Sequence, residues 1–408
     1  MKAITVSVCI VLCLAIDVCA ASDVVLTIGP VDVPVRNALV MAELPSARPE
    51  GSGPQLVESV SGVAVPCQIS GEGRNARLVW VVSQLPKGAT AHWSFSWALS
   101  PRKPEGVRHV DIEKEANGPL SVDVDGKLFT RYIEGRNEFK PYLYPVMLGD
   151  TALTRHFPMK KGVPGERVDH VHHRSLYFTH GSVNGTDFWS EKNDSGHTVH
   201  QDYLSIESGP VFGRFTTRCE WVAREGALLD DVRTHRVFSP SADVIVVDFT
   251  TTLTAKVDKV TFGDTKEGTF GIRLAGWMKQ TSGGRILSSR GAEGEKGAWG
   301  KPAEWIDYSA EHNGKTYGVT ILDHPTSFRH PTHWHVRGYG LFAANPFGYH
   351  NFYPEKKNLR EGEHTIRKGE SVTFSYRVVF HRGTTEDAKI AEYYNAFANP
   401  LKVTKGIQ

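Results

Sequence analysis

Along the last third of the chain, Val372, Phe374, Tyr376, Val378 and Phe380 alternate with Ser371, Thr373, Ser375 and Arg377. A period of two sends apolar side chains to one face and polar ones to the other, and so predicts a half-buried β-strand. Runs of the same kind occur at 38–44, 78–82, 92–97, 205–208, 212–222 and 244–253. Asp125-Gly126 and Asn313-Gly314 fall between apolar runs, the chemistry of two-residue hairpin turns, so the strands should pair antiparallel. Only 386–398 reads as a good helix, with Ile390, Tyr394 and Phe397 at helical spacing behind a Thr385 cap and Pro400 beyond its end. A long chain with so little helix is all-β and is best housed as packed sheets. No repeat of fixed period is evident, which argues against a propeller or solenoid.

Pro101, Lys103, Pro104, Glu105 and Gly106 interrupt the strand pattern. The break divides the chain into a small N-terminal β-sandwich at 24–100 and a main sheet domain at 108–400 that carries the polar chemistry. The first twenty residues contain Lys2, an apolar run from Ile4 to Ile16, and the small-residue ending Val18-Cys19-Ala20. That is the layout of a signal peptide and implies an exported, periplasmic or extracellular protein. A lipoprotein anchor at Cys19 is the alternative, disfavoured by Asp17 and Val18 before it. Beyond the leader no apolar run reaches the ~20 residues of a membrane span, so no stable membrane insertion is expected. The remaining cysteines, Cys67 and Cys219, could form one disulfide or remain separate buried thiols. A formal net charge of +2, with dispersed lysines and arginines, argues against nucleic acid as a partner.

Histidine changes the picture. Of 18 histidines, seven lie between His156 and His200 and six between His312 and His350. Strand propensity does not explain such clustering, so a chemical cause is expected. If 169–181 is extended, His170, His172, Arg174 and His180 share one face and His173 points away. In 330–337 the same logic groups His333, His335 and Arg337 against Trp334 and Val336. Two imidazole-bearing strands would then line one polar groove. Between them, Asp264, Lys266, Glu267 and Arg273 form a cluster of opposed charges, which is either part of that groove or a surface ion-pair loop. Asp187, Trp189, Trp299 and Trp305 add a carboxylate and aromatic faces of the kind that bind sugars, with ordinary core packing as the alternative for each tryptophan.

Lys140-Pro141-Tyr142-Leu143-Tyr144-Pro145, the 169–174 stretch, the run from His180 through Asn184-Gly185-Thr186-Asp187-Phe188-Trp189, 263–273, and 329–337 followed by Leu341-Phe342-Ala343-Ala344-Asn345-Pro346-Phe347-Gly348 resemble a bacterial family known as "methane oxygenase PmoA". The resemblance spans about 137–382, with Val171 standing where that family motif has proline. The methane monooxygenase subunit of that name is an integral membrane protein, whereas this chain offers no span after its leader, so no membrane activity follows from the name. At the level of fold the chain is also similar to the galactose-mutarotase-like supersandwich of sugar epimerases, polysaccharide lyases and parts of glycosidases.

Three functions follow as expectations. The first is a carbohydrate-active enzyme, a glycosidase, lyase or epimerase needing no cofactor. Glu267 would be its base, His172 or His335 its acid and His180 the reserve, with Arg174, Asp187, Lys266, Arg273 and Arg337 on the sugar and Trp189 or Trp305 beneath it. The second is an enzyme using a divalent metal held by His170, His172 and His180. The third is a glycan-binding protein without turnover. The Asn184-Gly185-Thr186 sequon lies inside the histidine motif, where a backbone or ligand role is expected.

Overall fold

The computed structural model describes residues 24–407 apart from 117, 136, 137 and 356–360. The leader expected at 1–20, Cys19 included, lies outside the described residues. The alternation in the sequence becomes antiparallel sheet throughout, and the chain is an all-β sandwich protein with a C-terminal helix.

Among the described residues, the larger unit packs two sheets face to face. One runs in the order His333–Val336, Leu341–Asn345, Gly268–Arg273, Leu176–His180, Tyr142–Leu148, Lys127–Ile133, Leu120–Val124 and Val110–Lys114, with Thr151–Ala152 beside Tyr142–Leu148. The other runs His197–Glu207, Gly213–Ala223, Gly226–Ser241, Val244–Ala255, Ser371–Arg382, Lys315–Asp323, Trp305–His312 and Arg285–Ser288. Rings from both inner faces interleave. Phe270 stacks on Phe249 at 4.7 Å and on Tyr376 at 5.0 Å, and Phe178 meets Phe374 at 5.4 Å. Each such ring buries apolar area worth about 1.5–3 kcal/mol, which makes this seam the main source of cohesion. The two hairpin turns form as expected: Asp125 and Gly126 have φ of 52° and 70°, Asn313 and Gly314 of 52° and 71°, the paired left-handed conformations of a type I′ turn.

A smaller unit is built from the two ends of the chain. Val24–Ile28 pairs with Ala91–Ala98 on one side and with Val403–Ile407 on the other. Val35–Glu43, Arg77–Leu85 and Cys67–Ser70 form the facing sheet, and Leu26, Val40, Leu56, Trp80 and Phe95 fill the space between. The helix Ile390–Ala398 is wedged between the two units, with Ile390, Tyr393 and Phe397 packed against Val79, Phe238, Val246, Leu322 and Val379.

That helix begins later than the sequence suggests. The Thr385 hydroxyl is not a cap: it donates to the buried Asp307 carboxylate at 2.6 Å. Lys389, at φ 58°, starts the helix instead. The later start places Tyr393 inside and leaves Tyr394 beside His330. Cys67 lies in the small sandwich and Cys219 in the main core, and both are free thiols. No helix among the described residues is long and apolar enough to cross a membrane.

Deleting residues 402–408 would leave the Val24–Ile28 edge without its partner. The expected outcome is a lower urea midpoint and faster amide exchange in 24–28, with exchange in Val244–Ala255 unchanged.

Candidate functional site

Cross-strand register builds the site. Tyr142 stands opposite Tyr177, Tyr177 opposite Gly271, Gly271 opposite Ala343, and Ala343 opposite His335. This row crosses five strands on the face of the sheet turned away from the sandwich core; the neighbouring positions Phe178, Phe270, Ala344 and Trp334 all face the core. Two large polar rings therefore flank two of the smallest residues, which makes a hollow. A Cβ on Gly271 would come within 3.2 Å of the Tyr177 ring, so the absent side chain is what lets the phenol lean inward.

Trp189 enters this hollow from the loop after Leu176–His180. The Asp187 carboxylate accepts the Trp189 and Ser190 amides at 2.8 and 3.0 Å, a turn that sends Phe188 into the core and Trp189 to the opposite side. Tyr177, His173, His172 and His335 lie around the Trp189 ring, at 5.3, 5.8, 6.3 and 6.5 Å between centroids. The Tyr177 hydroxyl, the Trp189 indole nitrogen and His335 Nδ1 are buried and have no hydrogen-bond partner among the described residues. Buried polar atoms are rarely left so, and here three of them lie around one tryptophan ring.

The imidazoles here are held as neutral rings. Burial pulls His172 down to about 4, aided by the charge of Lys140, and His335 down to about 3, aided by Lys266. Burial likewise drives His173 well below its ordinary value. Arg273 donates to His173 Nδ1 at 3.0 Å, which places the His173 proton on Nε2. Burial pushes the Tyr177 phenol well above its ordinary value, so it remains a hydrogen-bond donor.

Charged groups brace the hollow. The buried Lys140 ammonium lies 2.6 Å from Glu191 and 5.3 Å from the centre of the Tyr177 ring. It also donates to the Trp189 carbonyl at 3.2 Å. Burial opposes ionisation of Glu191, but Lys140 and Arg174 outweigh it and hold the carboxyl below its usual value. Lys266 and Glu267 form an adjacent ion pair whose loop is fixed by Gly181 N–H donating to the Glu267 carbonyl at 2.6 Å. Arg337 pairs with Glu295 at 2.9 Å, and the rings of His170 and Tyr339 stack at 5.4 Å.

The structure brings His170, His172, Trp189, Lys266, Glu267, Arg273, His335 and Arg337 to this face. It corrects the picture of 169–175 as an extended strand. The segment is a turn in which His170 and Ser175 have positive φ, and the His170 carbonyl accepts from His173 and from Arg155. His173, expected to point away, therefore joins the site. His180 does not: it is sealed beside Phe262 and Phe347, with Nε2 on the Gly263 carbonyl at 2.8 Å. The trio His170, His172 and His180 thus does not converge, and no three His, Cys, Asp or Glu side chains among the described residues are grouped to hold a metal ion. Arg174 is engaged by Glu191 and Glu138, and Asp187 Oδ1 by two backbone amides. Trp305 packs against Leu322 and the C-terminal helix, away from the hollow, and Trp299 packs on Phe352. Both amide atoms of Asn184 bond the backbone of Lys259–Phe262. Sequence reasoning missed Lys140, Tyr177, Glu191 and Tyr339; for Lys140 and Tyr177 the only signal was their place in or beside the long motifs.

Five buried imidazoles, at 173, 180, 235, 333 and 335, and the half-buried one at 172 have their pKa lowered by burial. The unfolded chain then binds more protons than the folded one below about pH 6.5, with a slope of up to about 1.4 kcal/mol per pH unit for each ring. Urea midpoints should be level above pH 7 and fall steadily between pH 6.5 and 4. Glu191→Gln would strand a buried ammonium and should lower stability by about 3–5 kcal/mol, read from the same unfolding curves.

No curated protein matches the chain. The model of a family of unknown function, DUF6807, matches residues 119–395, a span that contains the whole hollow and every strand of the two sheets except Val110–Lys114. The chain belongs to that family, DUF6807.

Proposed function

We propose that this protein is an exported carbohydrate-active enzyme that moves protons at a sugar ring or glycosidic bond. The observation that carries the reading is the set of three buried polar atoms without partners, on Tyr177, Trp189 and His335, converging on one aromatic-floored hollow. A sugar offers hydroxyls to such atoms.

The roles differ from those expected of the sequence. A ring held neutral to pH 4 or below is a proton acceptor at neutral pH and has no proton to give as an imidazolium. His172 and His335 therefore accept hydrogen bonds and are only weak bases, and the Tyr177 hydroxyl is the hydrogen-bond donor within the hollow. Glu267, paired with Lys266 at the rim, remains a second acceptor. Opening, eliminating at or hydrolysing a sugar linkage needs one group of each kind, and the hollow supplies both. The similarity to mutarotase-like sandwiches agrees with this reading but adds only an analogy of fold. A metal enzyme and a non-catalytic glycan binder are the competing outcomes of the test.

A panel of glycans and glycosides, run with and without chelator, should give reducing ends, unsaturated products or altered sugar configuration that chelator does not suppress. Tyr177→Phe and His335→Gln should each lower kcat/KM by about 10²–10⁴-fold, and Glu267→Gln by a similar factor if it touches the substrate. Because the acceptor rings stay neutral down to about pH 4, kcat/KM should hold on the acid side well below pH 6.5. Loss of turnover with chelator would favour the metal enzyme, and binding without turnover the glycan binder.

A further inference from the structure

The strand Leu176–His180, which carries Tyr177, has one edge that its neighbour cannot fully close. On the side of Gly268–Arg273 the backbone bonds are made by odd positions in and beside the strand: the Ser175 carbonyl accepts from Arg273 N–H at 2.7 Å, and Gly181 N–H donates to the Glu267 carbonyl at 2.6 Å. Even positions therefore turn the other way, as His180 does when its carbonyl accepts from Phe188 N–H at 3.2 Å. On that side Tyr142–Leu148 places Leu143 opposite Leu176 and Tyr142 opposite Tyr177. The next position, opposite Phe178, is Pro141, which has no N–H to give the Phe178 carbonyl.

The missing donor comes from the facing sheet. Arg233, on Gly226–Ser241, reaches across the sandwich, and its Nη2 donates to the Phe178 carbonyl at 3.3 Å. Its guanidinium also lies 5.6 Å from the centre of the Phe178 ring. Asp231 aims it: Oδ2 accepts from Arg233 Nε and from Trp221 Nε1, each at 2.8 Å, while Oδ1 accepts from Thr251 Oγ1 at 2.6 Å. The Arg233 and Asp231 side chains are 2% and 0% exposed. Cohesion alone does not call for a charged pair there, because two ions lose their hydration where apolar side chains would pack as well or better. A cavity of about 10 Å³ remains beside the pair, lined by Pro141, Tyr142 and Tyr177 from the sheet and by Arg233 and His235 from the core. It has room for one water at most.

We propose that Arg233, held by Asp231, is a positioning residue for Tyr177: it supplies the hydrogen bond that Pro141 cannot, and so fixes the strand on which the phenol stands. Tyr177 is the chain neighbour of Phe178 on the opposite face, so a strand freed at the Phe178 carbonyl moves the phenol directly. The tolerance is small, since the Tyr177 ring already lies within 3.2 Å of where a Cβ on Gly271 would be. The proposal goes beyond the sugar reading and does not rest on it, because it concerns how the phenol is held whatever the hollow binds.

The test is fluorine NMR of the full chain labelled with meta-fluorotyrosine, in which the Tyr177 resonance is the one lost in Tyr177→Phe. In Asp231→Asn combined with Arg233→Met, which removes both charges together, the Tyr177 resonance should shift or broaden, while that of Tyr394 on the C-terminal helix stays in place. Adding Pro141→Ala, which restores an N–H opposite Phe178, should return the Tyr177 resonance most of the way. A role confined to core stability would leave nothing there for Pro141→Ala to restore. Should the paired variant fail to fold, Arg233→Lys takes its place: it keeps a cation beside Asp231 but lacks the planar fork that serves carboxylate and carbonyl together, and it should give the same shift and the same recovery. An unmoved Tyr177 resonance in the folded variant, or a shift that Pro141→Ala does not reverse, overturns the proposal. Both results are read without a ligand, so the sugar reading stands or falls separately, on the glycan panel.

Discussion

The close approach of Tyr177 to the bare Cα of Gly271 is the constraint on which the functional face depends. A side chain at 271 would meet the phenol ring, and a large one at 343 would fill the space beside it. With both positions small, Trp189 can settle among Tyr177, His172, His173 and His335. The opposite face of the same strands carries Phe178 and Phe270, locked into the aromatic seam of the sandwich. Rigidity on one side thus supports precise placement on the other, since a strand whose inner face is fully packed cannot slip by one residue without inverting every side chain.

Burial does two things at this face. It removes the protons from imidazoles that would titrate near neutrality in water, and it makes each charge depend on a partner. Lys140, Arg174, Glu138 and Glu191 form a closed set of two cations and two anions. The set ties the bend before Tyr142–Leu148 to the loop at 189–191, so that the tryptophan is held by backbone and by ion pair together. Such buried pairs add little net stability, and their value lies in fixing one arrangement of the loop.

Much of the fold was legible in the residues. Alternation located the long strands, and the two Asx-Gly turns formed as their chemistry requires. The histidine-bearing strand at 333–336 also presents His333 and His335 together, opposite Trp334 and Val336. The segment at 169–175 was not legible, because alternation assumes an extended backbone and here the chain turns at His170 to offer its carbonyl to Arg155. The Lys140 and Glu191 pair was hidden for another reason: its members are 51 positions apart, and no local pattern joins them. His180 misled because a ring on a strand face looks the same in sequence whether it meets solvent or Phe347.

The union of Val24–Ile28 with Val403–Ile407 carries a consequence for biogenesis. During synthesis the first strand emerges hundreds of residues before its outer neighbour. Until the last strand leaves the ribosome, one flank of the small sandwich presents open N–H and C=O groups, a template for pairing with another nascent chain. Whatever shields that flank in the interval, a chaperone or simple dilution, governs how much of the protein matures.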